Sequence, residues 1–261
     1  MDGRAKRLLD MDEPDPVVVQ LEDGRSPFFL TCDHAGRRLP QVLGDLGLPP
    51  SEFDRHIAWD IGAGGLSRRL SDLLDASLVE QIYSRLVIDC NRSPSVPSAI
   101  PEISELTVIP GNTGLSDDAR AMRRAEIFDP YHARIRDLLD RRAKEDRETI
   151  LVAMHSFTPV FKGFARPWHV GVLYHNDPSF GHILLELLSK EADLVVGDNE
   201  PYHISDETDY GIPVHGERRG LPHVELEIRQ DLIADPGGQA AWAERLARLL
   251  PLARTIHRSR S

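Results

Sequence analysis

Two kinds of hydrophobic spacing take turns along this chain. Short apolar runs predict strands over Val17–Leu21, Phe28–Thr31, Ser77–Tyr83, Leu86–Asp89, Thr149–Met154, His169–Tyr174, Leu194–Gly197 and Val224–Ile228. Several are continuously apolar, as strands covered on both faces are. Between them, helical spacing predicts helices over Ser51–His56, Ala63–Leu74, Ser116–Arg147, Phe180–Glu191 and Gln239–Ile256. Ser116 is a candidate N-cap with acids in the first turn, and Pro130 is expected to break or kink the long segment. The last helix carries an apolar stripe through Trp242, Leu246, Leu249 and Leu250. Such alternation predicts a three-layer α/β/α fold with a mixed, mostly parallel sheet, in a single domain over 1–261. One connection, 91–114, holds four prolines and two glycines. A loop of that length directly after an expected strand suggests a pocket wall or lid.

Composition narrows the function. The net charge of −11 disfavours nucleic acid as a partner but leaves room for a small anionic substrate in a locally basic pocket. Two cysteines, Cys32 and Cys90, make no disulfide framework and suggest a reducing compartment. The N-terminal segment has no apolar signal-like core, and no run is long and apolar enough for a membrane span, so a cytoplasmic protein is expected.

The chemistry gathers where apolar runs end. "FFLTCDHAGRRLP" (Phe28 to Pro40) delivers Asp33 and His34; "VIDCNR" delivers Asp89, Asn91 and Arg92; "LVAMHSFTP" ends in His155 and Ser156. In "HVELEIRQD", Glu225, Glu227 and Arg229 share one strand face by their spacing of two. Two carboxylates buried there need a cation or donors to meet them. Asp60 stands just before the Ala63–Leu74 segment, four residues after His56. His34, Asp60 and His155 form a coherent set of two imidazoles and one carboxylate, the kind that holds catalytic zinc with one position open. His56 and Asp60 could instead form a hydrogen bond on a helix surface. Cys32 beside His34 reads better as a small buried residue than as a nucleophile, because no separate base and orienter accompany it. Ser156 lacks a G-x-S-x-G elbow, and the glycines of "WDIGAGG" lack the lysine of a phosphate loop. The run "RDLLDRRAKEDRE" reads as a solvated helix face.

In order along the chain, "CDHAGRRLP", "HIAWDIGAGGLSRRLSDLL", "YSRLVIDCNRSP", "IPGNTGLS", "HSFTP", "VGVLYHND" and "VELEIRQDLI" resemble the N-formylglutamate amidohydrolase family. The resemblance implies a zinc carboxypeptidase-like fold and one zinc ion held by His34, Asp60 and His155; manganese, cobalt or iron would suit the same ligands. The wider carboxypeptidase group takes its carboxylate ligand from H-x-x-E. Arg37 occupies that position here, which leaves Asp60 to supply the carboxylate. The resemblance further implies that Glu227 is the general base, with Glu225 as the alternative. Arg92, Asn91, Arg85 and Ser156 would bind a small anionic N-acyl amino acid. The implied reaction hydrolyses N-formyl-L-glutamate to formate and glutamate, a step of histidine degradation. A related N-acylamino-acid deacylase, a peptidoglycan-type amidase, or a non-catalytic domain binding an acyl amino acid or a metal are the rival readings.

Overall fold

A computed structural model of the protein describes residues 7–260. Strands β1 (Val17–Gln20), β2 (Phe28–Cys32) and β3 (Ser77–Gln81) come first, then a hairpin of β4 (Ile103–Ser104) and β5 (Thr107–Val108). Strand β6 (Ile150–Phe157) runs into a second hairpin, β7 (Val160–Phe161) with β8 (Phe164–Ala165). Strands β9 (Val170–Leu173), β10 (Val196–Asp198) and β11 (His223–Arg229) complete the set. The central sheet has seven strands in the order β1-β3-β2-β6-β11-β9-β10. Its inner four, β3-β2-β6-β11, run parallel; β1 pairs antiparallel with β3, and β9 pairs antiparallel with β11 but parallel with β10. The expected mixed, mostly parallel sheet is therefore present.

The helices are α1 (Ala63–Leu74), α2 (Asp117–Arg123), α3 (Asp129–Lys144), α4 (Ser179–Leu188) and α5 (Pro236–Arg260). Side chains alternate across the sheet. Phe28, Leu30 and Cys32 of β2, with Val152 and Met154 of β6, join a core under α1, α4 and α5. Phe29, Leu151 and Ala153 join a second core with Ile135, Leu138 and Leu139 of α3 on the other face. The stripe of Trp242, Leu246, Leu249 and Leu250 is buried as its spacing predicts.

Four expectations about elements need correction. Leu86–Asp89 forms turns rather than a strand, although Leu86, Val87 and Ile88 are buried. The carbonyls of this run are satisfied by side chains: Asn112 donates to Leu86 and Arg123 to Val87. A short apolar run needs cover, and a loop locked by side-chain donors provides it as well as a sheet does. Ser51–His56 is not an α-helix; a 3-10 turn spans Pro50–Asp54, and His56 and Asp60 share no helical face. Ser116–Arg147 is not one broken helix: a π-helical turn over Arg124–Phe128 joins α2 to α3. Pro130 sits in the first turn of α3, where a missing N–H costs nothing, and Ser116 caps α2 by accepting from the Ala119 amide. Finally, 91–114 is not one open loop but carries 3-10 turns and the β4/β5 hairpin.

Candidate metal centre and active site

The parallel strands β2, β6 and β11 end side by side, and their polar tips meet there. Glu227 lies directly opposite His155 in the β6–β11 ladder, and Glu225 opposite Ala153. Thr31 pairs with the same Ala153 from the other side, so the chain leaving β2 carries Asp33 toward His155. The turn after Asp33 and His34 presses hard on the end of β3. A Cβ on Gly36 would sit 2.1 Å from the Ile82 carbonyl oxygen, so only glycine fits.

Asp60 comes from the segment before α1. Its backbone amide donates to the His34 carbonyl at 3.0 Å, and the Ser84 hydroxyl and Arg85 amide hold the nearby Ala58 carbonyl. Asp60 Oδ2 lies 2.9 Å from His155 Nδ1 and 3.3 Å from His34 Nδ1. The Ser156 amide donates to the same oxygen at 3.3 Å, and Arg85 approaches Oδ1 at 3.4 Å. One ligand atom from each of His34, Asp60 and His155 falls within 4.8 Å of the others, and all three residues are buried. On its far side, His34 Nε2 lies 2.7 Å from Asp89 Oδ1. An imidazole that donates Nε2–H there presents Nδ1 as a lone pair, the state a metal ligand needs.

The ionisable groups of the cluster act on one another. Burial resists ionisation of Asp60, but the His34 and His155 imidazoles hold its carboxyl well below the usual range. Burial likewise resists at Asp89, where Arg85 and then His34 win. Burial also resists the charged form of His34 and His155, yet the surrounding carboxylates raise both. Burial pushes Glu225 and Glu227 up to about 8, with His155 opposing in each case.

Four buried polar atoms around this point have no hydrogen-bond partner: His155 Nε2, Asp33 Oδ2, Glu225 Oε2 and Glu227 Oε2. Buried groups are nearly always paired, and a cluster of orphans marks a place where an ion, water or substrate belongs. The donor set of two imidazoles and a carboxylate fits a divalent metal ion. His34, Asp60 and His155 can therefore hold a metal.

A cavity of about 530 Å³ opens over the cluster. All nine residues singled out in the sequence as site candidates line it. Within it their situations differ. Arg85 is already paired, with Asp89 at 2.6 Å as well as Asp60. The Asn91 side chain accepts from the amides of Tyr210 and Gly211 and donates to Asp209, which ties down the 209–211 turn. The Ser156 hydroxyl donates to the Ile61 carbonyl at 2.9 Å and so anchors the segment carrying Asp60. The Arg92 side chain has no hydrogen bond or ion pair among the described residues. The 91–114 segment forms one wall, with Ile103, Ser104 and Glu105 facing the cavity. Arg229 lies apart, paired with Asp231.

Three residues without a role in the sequence analysis are brought to the site by the fold. Asp33 accepts from the Tyr131 hydroxyl, and its other oxygen is 3.8 Å from His155 Nε2. Asp89, at the end of the apolar run in "VIDCNR", meets His34 and Arg85 only in the fold. Tyr202 reaches the cavity because the backbone before it crosses closely over β9: a Cβ on Gly171 would lie 2.0 Å from the Glu200 carbonyl oxygen. Nothing in local spacing announces that approach.

Comparison with known proteins fits this architecture. A solved structure of the gene product Atu2144 from Agrobacterium tumefaciens superposes with a TM-score of 0.93 at 38% identity, over 96% of this chain and 99% of that one. The structure of an N-formylglutamate amidohydrolase from Ralstonia eutropha JMP134 shares the fold, with a TM-score of 0.65 at 17% identity over 94% of this chain and 100% of that one. An N-formylglutamate deformylase of Pseudomonas putida is 28% identical over 155 residues, 53% of this chain and 55% of that protein; the chain thus spans about half the length of this curated relative. The family profile described as N-formylglutamate amidohydrolase matches residues 26–234. This protein belongs to the N-formylglutamate amidohydrolase family.

Proposed function

We propose that the protein is a zinc-dependent amidohydrolase that cleaves N-formyl-L-glutamate, or a closely related N-acyl amino acid, to the carboxylic acid and the free amino acid. The observation that carries this reading is the convergence of His34, Asp60 and His155 on one wall of a cavity that also holds Glu225, Glu227 and the unpaired Arg92. When bound by these three residues, zinc would supply Lewis acidity, polarising the formyl carbonyl and lowering the pKa of a water.

The remaining work falls to the chain's own side chains. Arg92 grips the substrate's α-carboxylate, for which a guanidinium fork is suited. Arg85 stays bound to Asp89 and Asp60 and lends positive charge to the carbonyl end of the cavity. Glu227 Oε2, buried and unpartnered, takes a proton from the attacking water and returns it to the departing amide nitrogen. Glu225, 3.9 Å from His155 Nε2, supports that imidazole instead. Asn91 and Ser156 hold the walls in register through their backbone partners.

The deciding experiment is metal analysis of the purified protein together with hydrolysis assays on N-formyl and N-acetyl amino acids. About one zinc per chain and fastest turnover of N-formylglutamate are expected. A metal-free protein that hydrolyses none of the panel would end the reading.

A further inference from the structure

Arg166 is a buried cation without an acid. It is only 6% exposed, and no carboxylate pairs with it among the described residues. Its Nη1 donates to the Tyr202 hydroxyl at 3.0 Å and, at 3.4 Å, to the Thr158 carbonyl. Its guanidinium carbon lies 5.6 Å from the Phe157 ring centroid and 4.8 Å from those of Phe161 and Tyr202. Burying a charge is costly, and three rings and two neutral acceptors offset that only in part. Every one of those four neighbours, Phe157, Thr158, Phe161 and Tyr202, lines the cavity.

The acids on the cavity wall have other engagements. Glu105 pairs with Arg55, Asp60 and Asp89 with Arg85, and Asp209 accepts from Asn91 and the Ser205 amide. Glu225 and Glu227 adjoin His155. That leaves Arg92 and Arg166 with no carboxylate in ion-pair contact among the described residues, although each feels one at longer range, Asp89 and Glu227 respectively. They are carried by different segments: Arg92 opens the 91–114 wall, and Arg166 follows the β7/β8 hairpin.

We propose that Arg166, with the Tyr202 hydroxyl beside it, recognises a second carboxylate on the substrate, the side-chain acid of an N-acyl dicarboxylic amino acid. Arg92 then serves the α-carboxylate, and Arg166 sets the preference for an acidic over a neutral amide side chain. A hydrogen-bonded guanidinium stacked on rings is preorganised, so little rotamer freedom is lost when a carboxylate docks. Rejection of the isosteric amide follows because its NH2 group would face fixed N–H donors across a desolvated contact. This inference rests on the amidohydrolase reading above.

The test compares kcat/KM for N-formylglutamate and N-formylglutamine in the zinc-loaded enzyme and in Arg166→Met and Tyr202→Phe. The wild type should prefer the acid by about 10²-fold, the scale of a desolvated charge contact. Arg166→Met should lose most of that preference through a raised KM for the acid, while the amide changes by no more than a few fold. Tyr202→Phe keeps the ring and should reduce the preference in the same direction by a smaller factor. Equal losses on both substrates would make Arg166 a structural pin of the hairpin and overturn the inference alone. Should Arg166→Met fail to fold, an unchanged preference in Tyr202→Phe, or none in the wild type, overturns it. A wild type that hydrolyses neither compound overturns both this inference and the reading beneath it.

Discussion

Asp89 and His34 meet at 2.7 Å, and that contact decides which nitrogen of the imidazole faces the cluster. Asp89 is itself held by Arg85 at 2.6 Å, so a chain of charge-assisted hydrogen bonds runs from a guanidinium through a carboxylate to the His34 imidazole. Asp89→Asn keeps the shape but weakens the acceptor. Metal affinity is expected to fall by about 10–100 fold, measured by chelator competition. An unchanged affinity would show that His34 needs no orienting partner.

His34→Ala and His155→Ala each remove one of the three converging side chains that could hold a metal. Both should abolish stoichiometric metal, read by elemental analysis, while the far-ultraviolet circular dichroism stays close to wild type. Full metal occupancy in either variant would refute the assigned ligand set.

Glu227→Gln preserves volume and removes the carboxylate proposed as the base. Turnover is expected to fall by roughly 10²–10⁴ fold with metal retained. Glu225→Gln should cost less turnover, because its carboxyl faces His155 from beside Ala153 rather than standing opposite His155 in the ladder. A metal-replete, inactive Glu225→Gln beside an active Glu227→Gln would exchange the two roles.

Arg92→Lys keeps a positive charge but loses the two-pronged geometry. A loss on the order of 2–4 kcal/mol in transition-state binding is expected, mostly in KM. An unchanged kcat/KM on N-formylglutamate would remove Arg92 from substrate binding.

Away from the site, two buried histidines set a pH limit on stability. His132 donates Nε2–H to the Cys90 carbonyl, which leaves its Nδ1 to accept from His215 Nε2 at 2.9 Å. Burial depresses both imidazoles, His132 well below its ordinary value and His215 to about 3. The unfolded chain binds these protons near pH 6.5, and the folded protein does not, so stability is full above that pH and falls as pH drops below it. The slope should approach about 1.4 kcal/mol per pH unit for each histidine. Urea unfolding between pH 7 and 5 should show a shallower decline in His215→Gln than in wild type. Parallel declines would mean that the pair carries a proton in the native state.

Much of the fold is legible locally. The parallel core strands are continuously apolar because both faces are covered, and the α5 stripe repeats at helical spacing because one side packs on the sheet. Leu86–Asp89 is the instructive miss. Its apolar character reports burial and cannot report which donors, Asn112 and Arg123 from other segments, replace a strand partner. His34, Asp60 and His155 stand out for a similar reason. An imidazole or carboxylate at the end of an apolar run is costly to bury, so each one asks for a partner.

Chain order alone places imidazoles, carboxylates and guanidiniums at the ends of apolar runs, and with them the kind of chemistry available on a mostly parallel α/β frame. Folding then assigns their partners. Only the parallel order β2-β6-β11 brings Asp33, His155 and Glu227 to one edge. Only the folded contacts commit Arg85 to Asp89 and leave Arg92 and Arg166 without an ion pair among the described residues. The reason is the range of the interactions: periodicity of burial is set by neighbours along the chain, whereas hydrogen bonds and ion pairs act over a few ångströms between residues far apart in sequence, and their pairing exists only once the chain has closed.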